Sequence, residues 1–148
     1  MLIFKWIKGT EDLTDVHYLR RVVFIEEQAV PEDRERIDHE DEASLHLLVC
    51  EGDKPIATGR IFMKDNKFTL QRIAVLKERR GEGLGKLVTE QLAAKCFEIG
   101  AGKVILSSQL HAKGFYEQLG FEAYGEEYMD AGIAHVSMYL NKPQPIGT

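Results

Sequence analysis

Cysteine is scarce in this chain: there are two, Cys50 and Cys96, far apart and in no Cys-x-x-Cys pair. That excludes a disulfide framework and a zinc knuckle, and both thiols read as reduced, small apolar core residues. The five histidines, His17, His39, His46, His111 and His135, show no close ligand spacing, so no metal is expected. No apolar run approaches the roughly 18–20 residues of a membrane span. The opening Met1-Leu2-Ile3-Phe4-Lys5-Trp6-Ile7 is too short and interrupted for a signal peptide. The cytoplasm is therefore the expected location, with no membrane partner. Cationic excess is also missing. Lys and Arg number 19 against 24 Asp and Glu, a net charge of −5, which argues against a general nucleic-acid binder. No repeat, low-complexity tract or internal linker is found, and two of the four prolines fall near the C-terminus.

What is present is 148 residues, 44% apolar and 29% charged, the balance of one globular domain that needs no staple to fold. We place that domain at 1–141 and a loose tail at 142–148. Leu2 to Ile7 reads as a strand, and a helix follows from about Glu11, with Leu13, Val16, Leu19, Val23 and Phe24 at helical spacing. The acid-rich stretch from Glu26 to Glu42, broken by Pro31, reads as a solvated loop. Three strands with short turns come next, Leu45 to Glu51, Pro55 to Met63 and Lys67 to Leu76, suggesting an antiparallel meander. Leu84, Leu87, Val88, Leu92, Cys96 and Ile99 then mark one helix face, ended by Gly100, before the apolar run Val104-Ile105-Leu106. Strand, helix, strand at this length is a βαβ unit with two parallel strands. A shorter helix from about His111 to Leu119 and two last strands, Phe121 to Tyr124 and Ala134 to Leu140, complete an α+β fold with a mixed, mostly antiparallel sheet.

The richest signal is Arg79-Arg80-Gly81-Glu82-Gly83-Leu84-Gly85-Lys86, between strand and amphipathic helix. Unpaired N–H groups and the helix dipole favour an anion there, glycines let it approach, and three cations add charge. The segment reads as a phosphate or pyrophosphate cradle. A triphosphatase P-loop needs a glycine where Arg80 stands and a hydroxyl where Leu87 stands. The dinucleotide fingerprint needs a glycine at Lys86 and an early βαβ unit. Both fail.

With these residues in view, Arg80-Gly81-Glu82-Gly83-Leu84-Gly85 resembles the Arg/Gln-x-x-Gly-x-Gly/Ala acetyl-CoA motif of the GNAT N-acetyltransferase superfamily. Arg72-Ile73-Ala74-Val75 is similar to that family's pantetheine-contacting strand, and Gly114-Phe115-Tyr116-Glu117-Gln118-Leu119-Gly120-Phe121 to its Phe-Tyr-x-x-x-Gly-Phe segment. The opening Arg20/Arg21, Val23, Phe24, Glu27 and Gln28, and the ending Asp130 to Met138, resemble the small bacterial ElaA-like branch, with Ala134 where that branch carries proline. The resemblance implies a GNAT fold whose central parallel strands splay apart. It also implies acetyl-CoA as cosubstrate. Its pantetheine would lie on Ile73, Ala74 and Val75, its diphosphate on Arg80, Gly81, Glu82, Gly83, Leu84, Gly85 and Lys86, and Gln109 and Phe115 would line the other wall. The acceptor would be a small-molecule or peptide amine contacted by Phe24, Gln28, Asp38 and Arg72; a homodimer is left open.

Acetyl transfer from a thioester needs a neutral amine held close, a polarised carbonyl and a proton for the departing thiolate. Tyr116 suits the last role as general acid, and a backbone N–H such as that of Val75 suits the second. Direct attack in a ternary complex is expected. The base stays open among Glu27, Asp38, His46 and His135, because Gln71 stands where relatives often carry glutamate. Arg72 is read as an ion-pair partner or as an acceptor contact. A non-catalytic acyl-CoA sensor and an interaction module using the acidic stretch for a basic partner are the alternatives.

Overall fold

The computed structural model describes residues 1–30 and 39–143. Seven strands form one sheet in the order β1-β2-β3-β4-β5-β7-β6. The meander consists of β1 (Leu2–Lys8), β2 (Ser44–Glu51), β3 (Lys54–Lys64) and β4 (Lys67–Val75); β5 (Lys103–Gln109) lies parallel to β4. Antiparallel β7 (Ile133–Asn141) and β6 (Glu122–Asp130) complete the sheet. Helix α1 (Thr14–Arg20) widens into a π-helical stretch over Arg21–Glu27, α2 is the short His39–Glu42, α3 (Leu84–Glu98) joins the parallel strands, and α4 (Lys113–Gln118) follows β5. The α+β class, the mixed sheet and the βαβ unit are those expected. Among the described residues no helix is long and apolar enough to cross a membrane.

The core forms where α1 and α3 lay their apolar faces on the sheet. Val16, Leu19 and Val23 are at most 1% exposed, as are Val88, Leu92 and Cys96; each large apolar side chain so buried contributes about 1.5–3 kcal/mol. Cys50 and Cys96 are both buried free thiols, and burial pushes the Cys96 thiol up to about 12. Helix α3 presses so closely on β3 that a Cβ at Gly59 would lie 2.7 Å from Leu92 and 3.1 Å from Val88. Only glycine permits that approach.

Opposite Gly59, β4 carries an extra residue. The β3–β4 register passes from Thr58↔Ala74 to Arg60↔Gln71, so two residues, Arg72 and Ile73, face one. Arg72 takes φ +55°, the left-handed region that costs an L-residue about 1–2 kcal/mol. The bulge bends β4 away from β5. The parallel strands pair only at Phe68↔Val104 and Thr69↔Ile105 and then part.

The acidic stretch departs from the expected solvated loop. Glu26 and Glu27 belong to the π-helical stretch, Glu40, Asp41 and Glu42 form α2, and residues 31–38 lie outside the described residues. Asp41 is 1% exposed, between Arg20 and Arg60 at 2% each. Its Oδ1 accepts from Arg20 (2.5 Å) and Arg60 (2.7 Å), and its Oδ2 lies 3.2 Å from His17 Nε2. His46 donates from Nε2 to the Asp41 carbonyl (2.9 Å). A composition count cannot distinguish one buried acid among many solvated ones; here two arginines from other elements draw it inward. The other departure is β6, expected to end at Tyr124. It continues past Gly125 (φ +73°) through a bulge between Tyr124 and Tyr128 and ends in the turn at Ala131 and Gly132 (φ +53° and +78°). At the C-terminal end, Lys142 N–H still donates to the Gly102 carbonyl (2.9 Å).

Burial pushes the Asp41 carboxyl up, and the Arg20 and Arg60 guanidiniums outweigh it, leaving it below the ordinary carboxylate range. A carboxyl depressed in the folded state stabilises above its unfolded value, near ~3.9, and loses that contribution as pH falls through the folded value. Asp41→Asn, which removes the buried carboxylate shared by Arg20 and Arg60, is expected to cost about 3–5 kcal/mol at pH 7. In urea titrations the gap between wild type and variant narrows as pH drops below about 4.

Candidate active site

The loop after β4 reaches α3 through Gly81 (φ +84°) and Gly83 (φ +80°), and a Cβ at either would meet nothing within 4 Å. Glycine is needed there for backbone conformation, and the space before the loop is open. The helix ladder starts with Leu87 N–H on the Gly83 carbonyl (3.0 Å), and Gly83 offers no side-chain cap. The N–H groups of Leu84, Gly85 and Lys86 thus have no backbone acceptor among the described residues. They are the orphan donors of a helix N-terminus, where an anion is favoured. A cleft of about 620 Å³ lies against them, bounded by Ile73, Ala74 and Val75 on β4, by Gln28 and by Phe115.

The charges round the loop are partly engaged. Arg79 donates to Glu82 (3.0 Å) and Glu51 (3.4 Å). Arg80 grips both carboxylate oxygens of Glu27 (2.5 and 2.8 Å) and the Val75 carbonyl (3.0 Å). Of the three cations expected to serve the cradle, Lys86 alone carries no ion pair among the described residues. Glu82 turns its carboxylate to Arg79, which leaves its main chain to the loop. Glu27, a candidate base, is not among the residues bounding this cleft. The Arg80 hydrogen bonds hold its carboxyl below the usual range, so it has little affinity for a proton.

Where β4 and β5 part, a second cavity of about 390 Å³ opens, walled by Gln71, Arg72 and Ile73, by Leu106 to Gln109, and by Tyr116 and His135. A third, of about 400 Å³, extends outward past Val30, Asp130, Ala131 and Ile133. Gln28 borders all three, Ile73 joins the first two, and Phe24, Arg72, Gln109 and His135 join the last two. One groove therefore runs from the glycine loop through the sheet opening to the far side. It gathers all the anticipated residues except Glu27, His46, Arg79, Glu82 and Asp38, the last of which lies outside the described residues. Gln109, expected beside the loop cleft, borders the two cavities beyond it, bonded to His111 (2.5 Å). His46 is fully buried in the Asp41 network, away from the groove.

Tyr116 packs edge-on against Phe115 and Phe121, with centroids 5.0 and 5.8 Å apart. Burial pushes its phenol above the ordinary value, so it keeps its proton through the neutral range. His135 lies across from Gln109 in the β5–β7 ladder, stacked on Tyr128 at 5.9 Å. Its Nδ1 is 2.7 Å from the Ile133 carbonyl. A carbonyl only accepts, so in the neutral ring Nδ1 carries the hydrogen and Nε2 keeps a lone pair. Gln71 turns its amide oxygen to Arg60 Nε and Nη2 (3.0 and 2.7 Å). The sequence carried no signal for that pairing or for the Arg72 bulge, since both depend on β3 as neighbour. Among the described residues no three His, Cys, Asp or Glu side chains gather as a metal site.

Unpaired helix N-terminal amides opening onto a parted sheet suit an enzyme that binds an anionic cofactor, and comparison with known proteins specifies the class. Residues 12–142 match the family model described as the acetyltransferase (GNAT) domain, and the chain belongs to that family of N-acetyltransferases. It is 40% identical over 132 residues to the uncharacterized N-acetyltransferase YjcF of Bacillus subtilis (strain 168), covering 88% of this chain and 94% of that protein. It is 38% identical over 136 residues to YyaT of the same organism, covering 90% and 92%. The crystal structure of Escherichia coli ElaA superposes with a TM-score of 0.85 at 27% identity, over 95% of this chain and 100% of that one. A Bacillus subtilis acetyltransferase in complex with CoA shares the fold at TM-score 0.70 and 17% identity, over 97% and 100%. Family membership implies an acyl-CoA donor, and the open cradle with its orphan amides fits one.

Because Arg80 already keeps Glu27 ionised, Glu27→Gln is expected to leave the acidic limb of the pH–rate profile in place. A limb that vanishes in that variant would return Glu27 to the role of base.

Proposed function

We propose that this enzyme moves the acetyl group of acetyl-CoA to a primary amine, free or on a peptide, by direct attack with both substrates bound. The observation that supports this reading best is the continuity of the groove. An anion cradle stands at one end, a protonated phenol and an imidazole with a free Nε2 border the sheet opening, and a further cavity lies beyond.

On this reading the main chain of Ile73, Ala74 and Val75 receives the pantetheine arm as an added strand. The amides of residues 80–86, with Lys86, receive the diphosphate. The cofactor supplies an activated acyl group as its thioester. The Arg80–Glu27 pair is half-exposed and worth about 0–1 kcal/mol. Charge-assisted bonds to a diphosphate are worth roughly 1.5–3 kcal/mol each, and the main-chain amides with Lys86 make them while the Arg80–Glu27 pair holds. Phe115, 3.7 Å from where a Gly85 Cβ would stand, narrows the cleft. A β4 main-chain N–H at the opening polarises the carbonyl. His135 takes the amine proton at Nε2, and Tyr116 gives its phenolic proton to the departing thiolate sulfur. A lysine-type amine has a pKa near ~10.4 and is charged at neutral pH, so a base is needed. Phe24, Gln28 and Arg72 hold the acceptor.

Tyr116→Phe is expected to lower kcat about a hundredfold with the affinity for acetyl-CoA unchanged, measured by thiol release and calorimetry. Unchanged turnover would remove the acid role. Tight acetyl-CoA binding with no CoA release from any amine would favour a sensor on the same fold.

A further inference from the structure

Gln71 stands one residue before the bulge, at the wall of the reaction cavity. Its side chain has one orientation available. Arg60 approaches it with Nε at 3.0 Å and Nη2 at 2.7 Å. Arginine has donors only, so the amide oxygen must face it and the amide nitrogen must face away. Arg60 is itself immobilised, 2% exposed, by Asp41 Oδ1 (2.7 Å) and Glu40 Oε1 (3.1 Å). The two N–H groups of Gln71 Nε2 make no hydrogen bond among the described residues and are not sealed from solvent. A fixed pair of donors is thus held at the reaction cavity. The next residue, Arg72, brings positive charge to the same wall and borders the outer cavity too.

We propose that the acceptor is a primary amine that also carries a carboxylate, and that Gln71 Nε2 receives that carboxylate; this rests on the transferase reading above. Three of the described acids in the 26–42 stretch are engaged. Asp41 and Glu40 are held by Arg60, and Glu27 by Arg80. A second amine in place of the carboxylate would face an amide donor and a guanidinium, which disfavours it.

The test uses matched pairs, each an amino acid and its decarboxylated amine: phenylalanine with phenethylamine, leucine with isopentylamine, lysine with cadaverine. CoA release is measured and kcat/KM referred to the neutral amine. The carboxylate-bearing member is expected to be at least about tenfold better in each pair, the advantage lying in the acceptor KM. Gln71→Glu keeps the shape and the bond to Arg60 but replaces the donors by a carboxylate oxygen. It should bring that ratio to about one or below while the KM for acetyl-CoA stays within about twofold. Equal or better use of the decarboxylated amines by the wild type overturns the proposal, as does a variant that changes both members of a pair alike. If no amine is turned over, binding of the same pairs to the CoA complex decides, and equal affinities overturn it. Failure to bind acetyl-CoA would instead overturn the transferase reading itself.

Discussion

A parallel strand pair that stops pairing after two positions leaves polar backbone with no ladder, and the molecule is organised round that loss. β4 and β5 meet at Phe68↔Val104 and Thr69↔Ile105, and the extra residue at Arg72 then turns β4 aside. The left-handed φ at Arg72 is unfavourable for any side chain with a Cβ. It persists because both neighbours are fixed. Gly59 is pinned under Val88 and Leu92 of α3, and Gln71 is pinned by Arg60. The opening is thereby a place inside the sheet, away from the edge strands β1 and β6, where a ligand can complete the hydrogen bonding.

The buried charge cluster belongs to the same construction. Arg20 from α1, Arg60 from β3 and Asp41 from α2 meet where few polar groups are found. Such clusters add little net stability compared with apolar packing. What this one does is orient Arg60, and through it the Gln71 amide. Acids that look in sequence like a solvated attractant therefore act partly as internal struts. Glu27 is similar. It ties the π-helical stretch to the glycine loop, and in the proposed reaction proton transfer falls to His135, whose tautomer is set by the Ile133 carbonyl.

Much of the fold was legible because its signals are local. The meander turns, the apolar face from Leu84 to Ile99 and the glycines at 81, 83 and 85 each act within a few residues of themselves. The glycine loop at the head of α3 was legible for the same reason, as a helix N-terminus is a short-range object. The far end of the groove was harder to read. Gln109 and His135 face each other across a strand ladder, Phe24 and Gln28 arrive from a helix far away in the chain, and Asp38 lies outside the described residues.

By itself, then, the sequence determined the order of elements, the βαβ unit and the glycine loop that opens α3, since hydrophobic period, turn chemistry and helix capping are short-range effects. Tertiary structure alone decided that Asp41 is buried, that Arg80 takes up Glu27, that β4 bulges at Arg72 and that Gln71 turns its amide nitrogen from Arg60. Each of these is a contest between partners brought together only by folding. Its outcome depends on distance and desolvation, which no linear spacing encodes.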